Sequence, residues 1–256
     1  MEQPTLKLSA GTAPKLTRRE EFEAALKDYK VSDEGRKILA KTPFMVMVAP
    51  TSTGRNTLIN ELVKTGKYHF IVSDTTRPPR ENNGILERDG VEYFFRAEDD
   101  MLADIKAGMF LEAEVIHKQQ VSGISIREIK KAQELDKIAI TDVEILGGIA
   151  VANIKPDAWV IYLVPPSFDE WLNRINGRTP LGKDELRNRL EGAIKGFRLA
   201  LDNDCFTFIV NVEKEDTVKI IEEITRTGTH HRKDEQEVRE LVRTLWMQTQ
   251  EFLDQL

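Results

Sequence analysis

The sequence predicts an α/β protein with a mostly parallel sheet flanked by helices. Three observations predict it. From Phe44 onward, short apolar runs alternate with longer segments of helical apolar spacing, the pattern of repeated β-α units. The runs are continuously apolar, as strands buried on both faces of a parallel sheet are. And 256 residues, 40% hydrophobic and 31% charged, suffice to bury a full core as one large domain or one domain with appendages.

Residues up to about Lys41 are polar and helix-prone. "TRREEFEAALKDY" carries Phe22, Leu26 and Tyr29 near helical spacing, and Thr17 followed by Glu20 resembles a capping box. The expected strands are "FMVMV", "HFIVS", "FLEAEVI", "IAITDV", "AWVIYLV" and "FTFIV". The expected helices between them are "TLINELVKTG", "EDDMLADIKAG", "SIREIKKAQEL", "SFDEWLNRI" and "DELRNRLEGAIKGFRLAL". "VKIIEEITRTG" follows, then a polar hinge, "THHRKDEQ", and a last helix whose Val238, Leu241, Val242, Leu245 and Trp246 form one apolar stripe, continued by Phe252 and Leu253. That stripe suits packing on the helix's own domain or a homodimer through the C-terminal helix.

Composition removes several classes. No apolar run approaches the roughly 18 residues that span a bilayer, so no membrane is expected, and the N-terminus lacks the apolar stretch of a secretory signal. The single cysteine, Cys205, excludes an internal disulfide and fits a cytoplasmic location. The four histidines have no metal-site spacing, and His230 and His231 fall in the polar hinge. A net charge of −6 argues against nucleic acid as partner but permits a local basic pocket for a small polyanion.

The stretch "MVMVAPTSTGRNTLINEL" has the layout of a phosphate-binding loop: a buried strand, a tight turn, then a helix N-terminus offering N–H groups and a positive dipole end to an anion. The usual pattern is Gly, four residues, Gly-Lys and Ser or Thr. Here only Gly54 matches; Ala49, Arg55 and Asn56 occupy the other three positions. Ala49 requires a negative φ there. Arg55 keeps the charge and offers a planar fork, though it is bulkier than lysine. Asn56 loses the hydroxyl that ligates Mg²⁺ and keeps only a weaker carboxamide oxygen, and Thr57 comes one residue too late. On these residues alone, a structural turn and a nucleotide site both stand.

A second constellation is "VSDTTRPPRENNGILERDGVEYFF". Arg77 and Arg80 flank two prolines that stiffen the backbone, with Ser73 before and Tyr93 after. Two guanidinium groups on a rigid turn suit a phosphomonoester clamp; a solvated basic turn is the plainer alternative.

At this point the sequence resembles the guanylate kinase family from about Phe44 to Thr227. The resemblance rests on "TTRPPR" with the following Asp-Gly, acid, Tyr and Phe, and on "FLEAEVI", "ITDVEILGG", "VIYLVPPS", "LNRINGR", "RNRL" and "FIVN" in family order. It implies a P-loop NTPase-type sheet at residues 43–228, with a small GMP-binding segment at about 73–125 and a helical lid at about 174–190. A helical extension, 1–42, and a C-terminal helix, 229–256, lie outside it. By position it implies that Ser73, Arg77, Arg80, Glu87, Tyr93, Glu112, Asp142 and Glu144 serve GMP, Glu87 after a short insertion, "ENNGI". Thr51, Ser52, Thr53, Gly54, Arg55, Asn56, Thr57 and Asn211 would serve ATP, with Asn211 beside the adenine. Arg178 and Arg189 of the lid would join Arg55 in steadying the transferred phosphoryl group, while Arg174 suits an ordinary solvated helix position. The resemblance further implies Mg²⁺ carried with ATP, with Asn56 a weak ligand.

Guanine shows donors at N1 and N2, so a carboxylate such as Glu112 is the matching acceptor. The family's following Tyr-Gly-Thr or Tyr-Gly-Ser is absent: aligning Gly123 puts Ser122 at the tyrosine and Ile124 at the hydroxyl, with Ser125 the candidate substitute. The expected activity is phosphoryl transfer from ATP to GMP or a related purine nucleoside monophosphate. The rival expectation is a catalytically silent module of the same fold that binds a nucleotide or a protein.

Overall fold

The computed structural model describes residues 16–82, 84–177, 182–229 and 234–256; Arg178 and the His230–His231 pair lie outside them. The chain begins with α1 (Arg19–Lys27) and α2 (Asp33–Lys41). β1 (Phe44–Val48) is buried along its whole length and runs into α3 (Arg55–Lys64) and β2 (Tyr68–Phe70). Short pieces follow: β3 (Asp74–Thr75), β4 (Glu81–Asn82), β5 (Ile85–Leu86) and β6 (Phe94–Phe95). Then come α4 (Glu98–Lys106), β7 (Phe110–Ile116), β8 (Gln120–Ser125), α5 (Ile126–Glu134) and β9 (Ile138–Asp142). The last third alternates again: α6 (Ile145–Ile154), β10 (Trp159–Val164), α7 (Phe168–Asn176), α8 (Lys183–Leu201), β11 (Thr207–Val210), α9 (Lys214–Thr227) and α10 (Glu235–Gln255).

The chain divides into two compact units. Residues 39–71 and 129–256 hold a five-stranded sheet in the order β11-β10-β1-β9-β2, every neighbouring pair parallel. Its core on one face joins Met45, Met47, Leu58, Leu62, Ile140, Ile161 and Ile221; β1 is buried at every residue and β10 at all but its first, so these apolar runs are buried on both faces as expected. α10 buries Val238, Val242, Leu245 and Leu253, and Phe252 meets Phe168 of α7 edge-on at 5.6 Å. Most of the apolar stripe is thus buried within its own unit, while Leu241 and Trp246 stay partly exposed.

The other unit comprises, among the described residues, 16–38 and 72–128, and holds a second sheet, β6-β3-β8-β7. Here one expectation is corrected: "FLEAEVI" is β7, paired antiparallel with β8, and belongs to no parallel sheet. The reason is local. His117 and Lys118 adopt φ of 50° and 59°, closing a tight hairpin, and Glu112 and Glu114 give the strand a polar face that a doubly covered strand cannot have. "HFIVS" is also shorter than expected, because β2 ends at Phe70 and the next strand, β3, starts at Asp74 in the second sheet. The Thr17–Glu20 capping box does not form. Instead the backbone N–H groups of Thr17 and Arg18 donate to the Glu98 carboxylate at 3.0 and 2.9 Å, and α1 packs Phe22 against Met101, Ile105 and Phe110.

Candidate functional site

The loop after β1 is built by its neighbours. The indole Nε1 of Trp171 donates to Thr51 O at 2.8 Å, and Thr53 Oγ1 donates to Pro50 O at 2.9 Å. Asn211, buried at 5% exposure, donates from Nδ2 to Thr53 O at 2.7 Å and accepts from Thr217 Oγ1 at 3.0 Å. Its amide braces the loop through the Thr53 carbonyl. The loop's positive φ angles fall on Ser52 (60°) and Gly54 (97°), leaving Ala49 with an ordinary backbone. A Cβ on Gly54 would come within 2.6 Å of Asn211 Nδ2, so both conformation and space demand glycine.

α3 begins directly after Gly54 with no side-chain cap and no acid in its first turn. Its first N–H groups and dipole are therefore open to an anion. The Ser52 Oγ is buried there without a hydrogen-bond partner among the described residues. Loop residues 48–56 line a cavity of about 300 Å³, closed by Glu144 and Ile145 at the start of α6, Tyr162, and Asn188, Arg189, Gly192, Ala193 and Gly196 of α8. Arg189 bonds Glu185 one turn back at 2.7 Å and keeps donors for the cavity. Burial, aided by the Glu144 charge, raises the Tyr162 phenol well above its ordinary range, so it stays protonated. Thr57 lines a neighbouring cavity with Arg174, whose guanidinium donates to Asn211 O at 3.1 Å and Val212 O at 3.3 Å. Arg174 therefore fastens α7 to the end of β11 and is not a solvated side chain. Arg55 turns to Asp142, at 2.8 Å.

In the smaller unit, Arg77, Arg80, Glu87 and Tyr93 come together. The Glu87 carboxylate grips Arg77 with both oxygens, at 2.5 and 3.0 Å, and accepts the Arg80 N–H at 2.8 Å. These bonds, led by Arg77, hold the Glu87 carboxyl below its usual range. The Arg77 guanidinium lies 4.6 Å over the Tyr93 ring, while Arg80 is exposed and reaches Gln120 Oε1 at 3.4 Å. Ser73 is half-buried and fastens to β6 through its carbonyl, which accepts Phe94 N–H at 2.9 Å.

Glu112 has no hydrogen-bond or ion-pair partner among the described residues. Burial, then the Glu114 charge two residues along the same strand face, pushes its carboxyl up to about 7. Ile124 is its cross-strand partner. Strand alternation puts Ser125 on the opposite face, with Val121, which packs against Phe22 and Phe110, and its buried Oγ has no partner among the described residues. Ser125 is thus not on the Glu112 face; Ser122 is, and its hydroxyl donates to Thr75 Oγ1 at 2.8 Å. Sequence reasoning missed Asp74, which is wholly buried and bonds Arg96 and Arg127, the latter at 2.8 Å. It fastens "TTRPPR" at its base, and nothing in the linear pattern marks these three residues as partners.

A parallel sheet whose central strand enters a glycine-bent loop and an uncapped helix, facing an arginine-bearing helix, defines a P-loop-type nucleotide-binding protein. The comparisons agree. The guanylate kinase family model matches residues 41–227. The chain is 31% identical to a guanylate kinase of Sulfurimonas denitrificans, over 71% of this chain and 87% of that one. It is 32% identical to a guanylate kinase of Corynebacterium diphtheriae, over 70% and 92%. The crystal structure of guanylate kinase from Anaplasma phagocytophilum shares the fold at a TM-score of 0.53, with 21% identity, covering 73% of this chain and 85% of that one. The chain belongs to the guanylate kinase family.

Proposed function

We propose that the chain transfers the γ-phosphoryl group of ATP to GMP or a closely related purine nucleoside monophosphate, giving the diphosphate and ADP. The observation that carries this reading is the open N-terminus of α3 beside Gly54, facing Arg189, in a chain of the guanylate kinase family. Phosphoryl transfer needs no protein nucleophile; it needs two anionic substrates aligned and their charge met. The loop N–H groups, Arg55 and Arg189 take the donor phosphates, with Arg178 assigned to the same lid by resemblance. Arg77 and Arg80, with Ser73 and Tyr93, take the acceptor phosphate, and Glu87 orders the two arginines for it. Glu112 accepts the guanine N–H donors as a carboxylate. Thr51, Thr53 and Asn211 act through the loop they hold in place.

The donor set fits Mg²⁺, which favours oxygen ligands and retains water. Asn56 and Glu144 both line the cavity and would hold the ion with the nucleotide phosphates, where it supplies neutralising charge. Asp142 is already paired with Arg55. No helix among the described residues is long and apolar enough to cross a membrane. A cytoplasmic location, where both substrates occur, is part of this proposal.

The test is ADP production from MgATP with GMP, dGMP, IMP or AMP, with Arg80→Ala as the control. Turnover with a guanine nucleotide that the control loses supports the reading. GMP binding without turnover would make the chain a silent module instead.

A further inference from the structure

Arg55 stands where a phosphate-gripping cation is expected, yet its guanidinium is already engaged. Nη2 lies 2.8 Å from Asp142 Oδ2, and Nη1 donates to Val143 O at 3.3 Å. Both ends of this contact are fixed by the fold: Arg55 is the first residue of α3, and Asp142 is the last of β9, in register with Met47 of β1. The two side chains are 24% and 29% exposed, partly shielded yet open to exchange. Arg189 is the other cation among the described residues lining the donor cavity.

We propose that Asp142 is a positioning residue for the donor site: it holds Arg55 against the sheet, and donor phosphate binds by displacing the carboxylate from the guanidinium. A carboxylate and a phosphate compete for the same planar face of N–H donors. Asp142 therefore lowers donor affinity by the strength of its own grip, and it belongs to the donor loop rather than to the acceptor base. Its neutralisation by Arg55 also removes it from the set of free carboxylates open to a metal. The inference rests on reading the loop as the ATP site.

The experiment is calorimetric titration of ATP, in EDTA and again with Mg²⁺, into the unaltered chain, Asp142→Asn, Asp142→Glu, Arg55→Ala and the Arg55→Ala/Asp142→Asn double variant. Asp142→Asn should bind ATP about fivefold tighter in both buffers, which is about 1 kcal/mol at 1.4 kcal/mol per tenfold. Asp142→Glu should restore near-native affinity, and the asparagine should have no effect once Arg55 is alanine. Equal or weaker binding by Asp142→Asn, or the same change without Arg55, would overturn the proposal. A loss confined to the Mg²⁺ titration would overturn it in favour of metal ligation. Failure of the unaltered chain to bind ATP would instead reject the donor-site reading. Should Asp142→Asn not fold, the Arg55 Nε–H resonance of the unaltered chain decides: it should shift on ATP addition, and an unmoved resonance would overturn the exchange.

Discussion

Glu112→Gln tests base recognition most directly, because the same side chain leaves two separate marks. Burial and the Glu114 charge raise the carboxyl from an ordinary 4.5 to about 7. Only the carboxylate can accept both guanine N–H groups. At pH 6 about one molecule in eleven carries that carboxylate, and at pH 8 about ten in eleven. GMP should therefore bind about tenfold more weakly at pH 6 than at pH 8 through this group alone. The phosphate of GMP also titrates near pH 6, so the slope in Glu112→Gln gives the phosphate's own part. Stability supplies the second mark. With its pKa raised, the folded state holds more protons than the unfolded chain between pH 4.5 and about 7, so stability falls as pH rises across that window. The shift corresponds to at most about 3 kcal/mol at 1.36 kcal/mol per unit. Glu112→Gln should flatten that fall in urea titrations and steepen nothing. Parallel pH slopes of GMP affinity in the two proteins, measured by calorimetry, would refute the assignment.

Gly54→Ala should cost about 1–3 kcal/mol and abolish ATP binding, since alanine meets both a φ of 97° and the Asn211 amide; thermal melts and nucleotide titration check it. Glu87→Gln should raise KM for the acceptor about tenfold or more with a smaller change in kcat, because Arg77 loses its charged partner; an unchanged KM in steady-state kinetics would sink the ordering role. Leu245→Ala, at a fully buried position of α10, should cost about 2–5 kcal/mol in urea while leaving the mass by light scattering unaltered. A drop in mass would place that helix at an interface.

The parallel core was legible because its signal is local and periodic. "FMVMV" and "AWVIYLV" are apolar throughout, and the helices between them keep one apolar face. The second sheet was not. β3, β4, β5 and β6 have two residues each, too few to show any period, and β8, "QVSGIS", is mostly polar. α6, "ILGGIAVANI", is apolar on nearly every side and carries two glycines, so it shows no helical stripe. At the site, residue type was readable and direction was not. Arg55 was visible as a displaced lysine, but its partner is fixed by the pairing of β1 with β9. Arg174 read as solvated because helical position alone cannot reveal the Asn211 and Val212 carbonyls, just past β11, that it binds.

Two arginines offered for phosphate are each held by a carboxylate, and the difference between the pairs bears on what each can do. Arg77 and Glu87 are 9% exposed on both sides and joined through both oxygens, over an aromatic ring. Breaking such a pair would strand a shielded charge, so on the proposed reading Arg77 keeps Glu87 and meets phosphate with its remaining donors, fixed in advance. Arg55 and Asp142 are joined through one oxygen and are about a quarter exposed. Water can solvate either partner as they separate, so this pair yields to a stronger anion. Under the proposed roles, the acceptor arginine is preorganised, whereas the donor arginine is exchangeable. That asymmetry follows from burial, and it accounts for a loop that departs from the usual motif while keeping a cation within reach of the nucleotide.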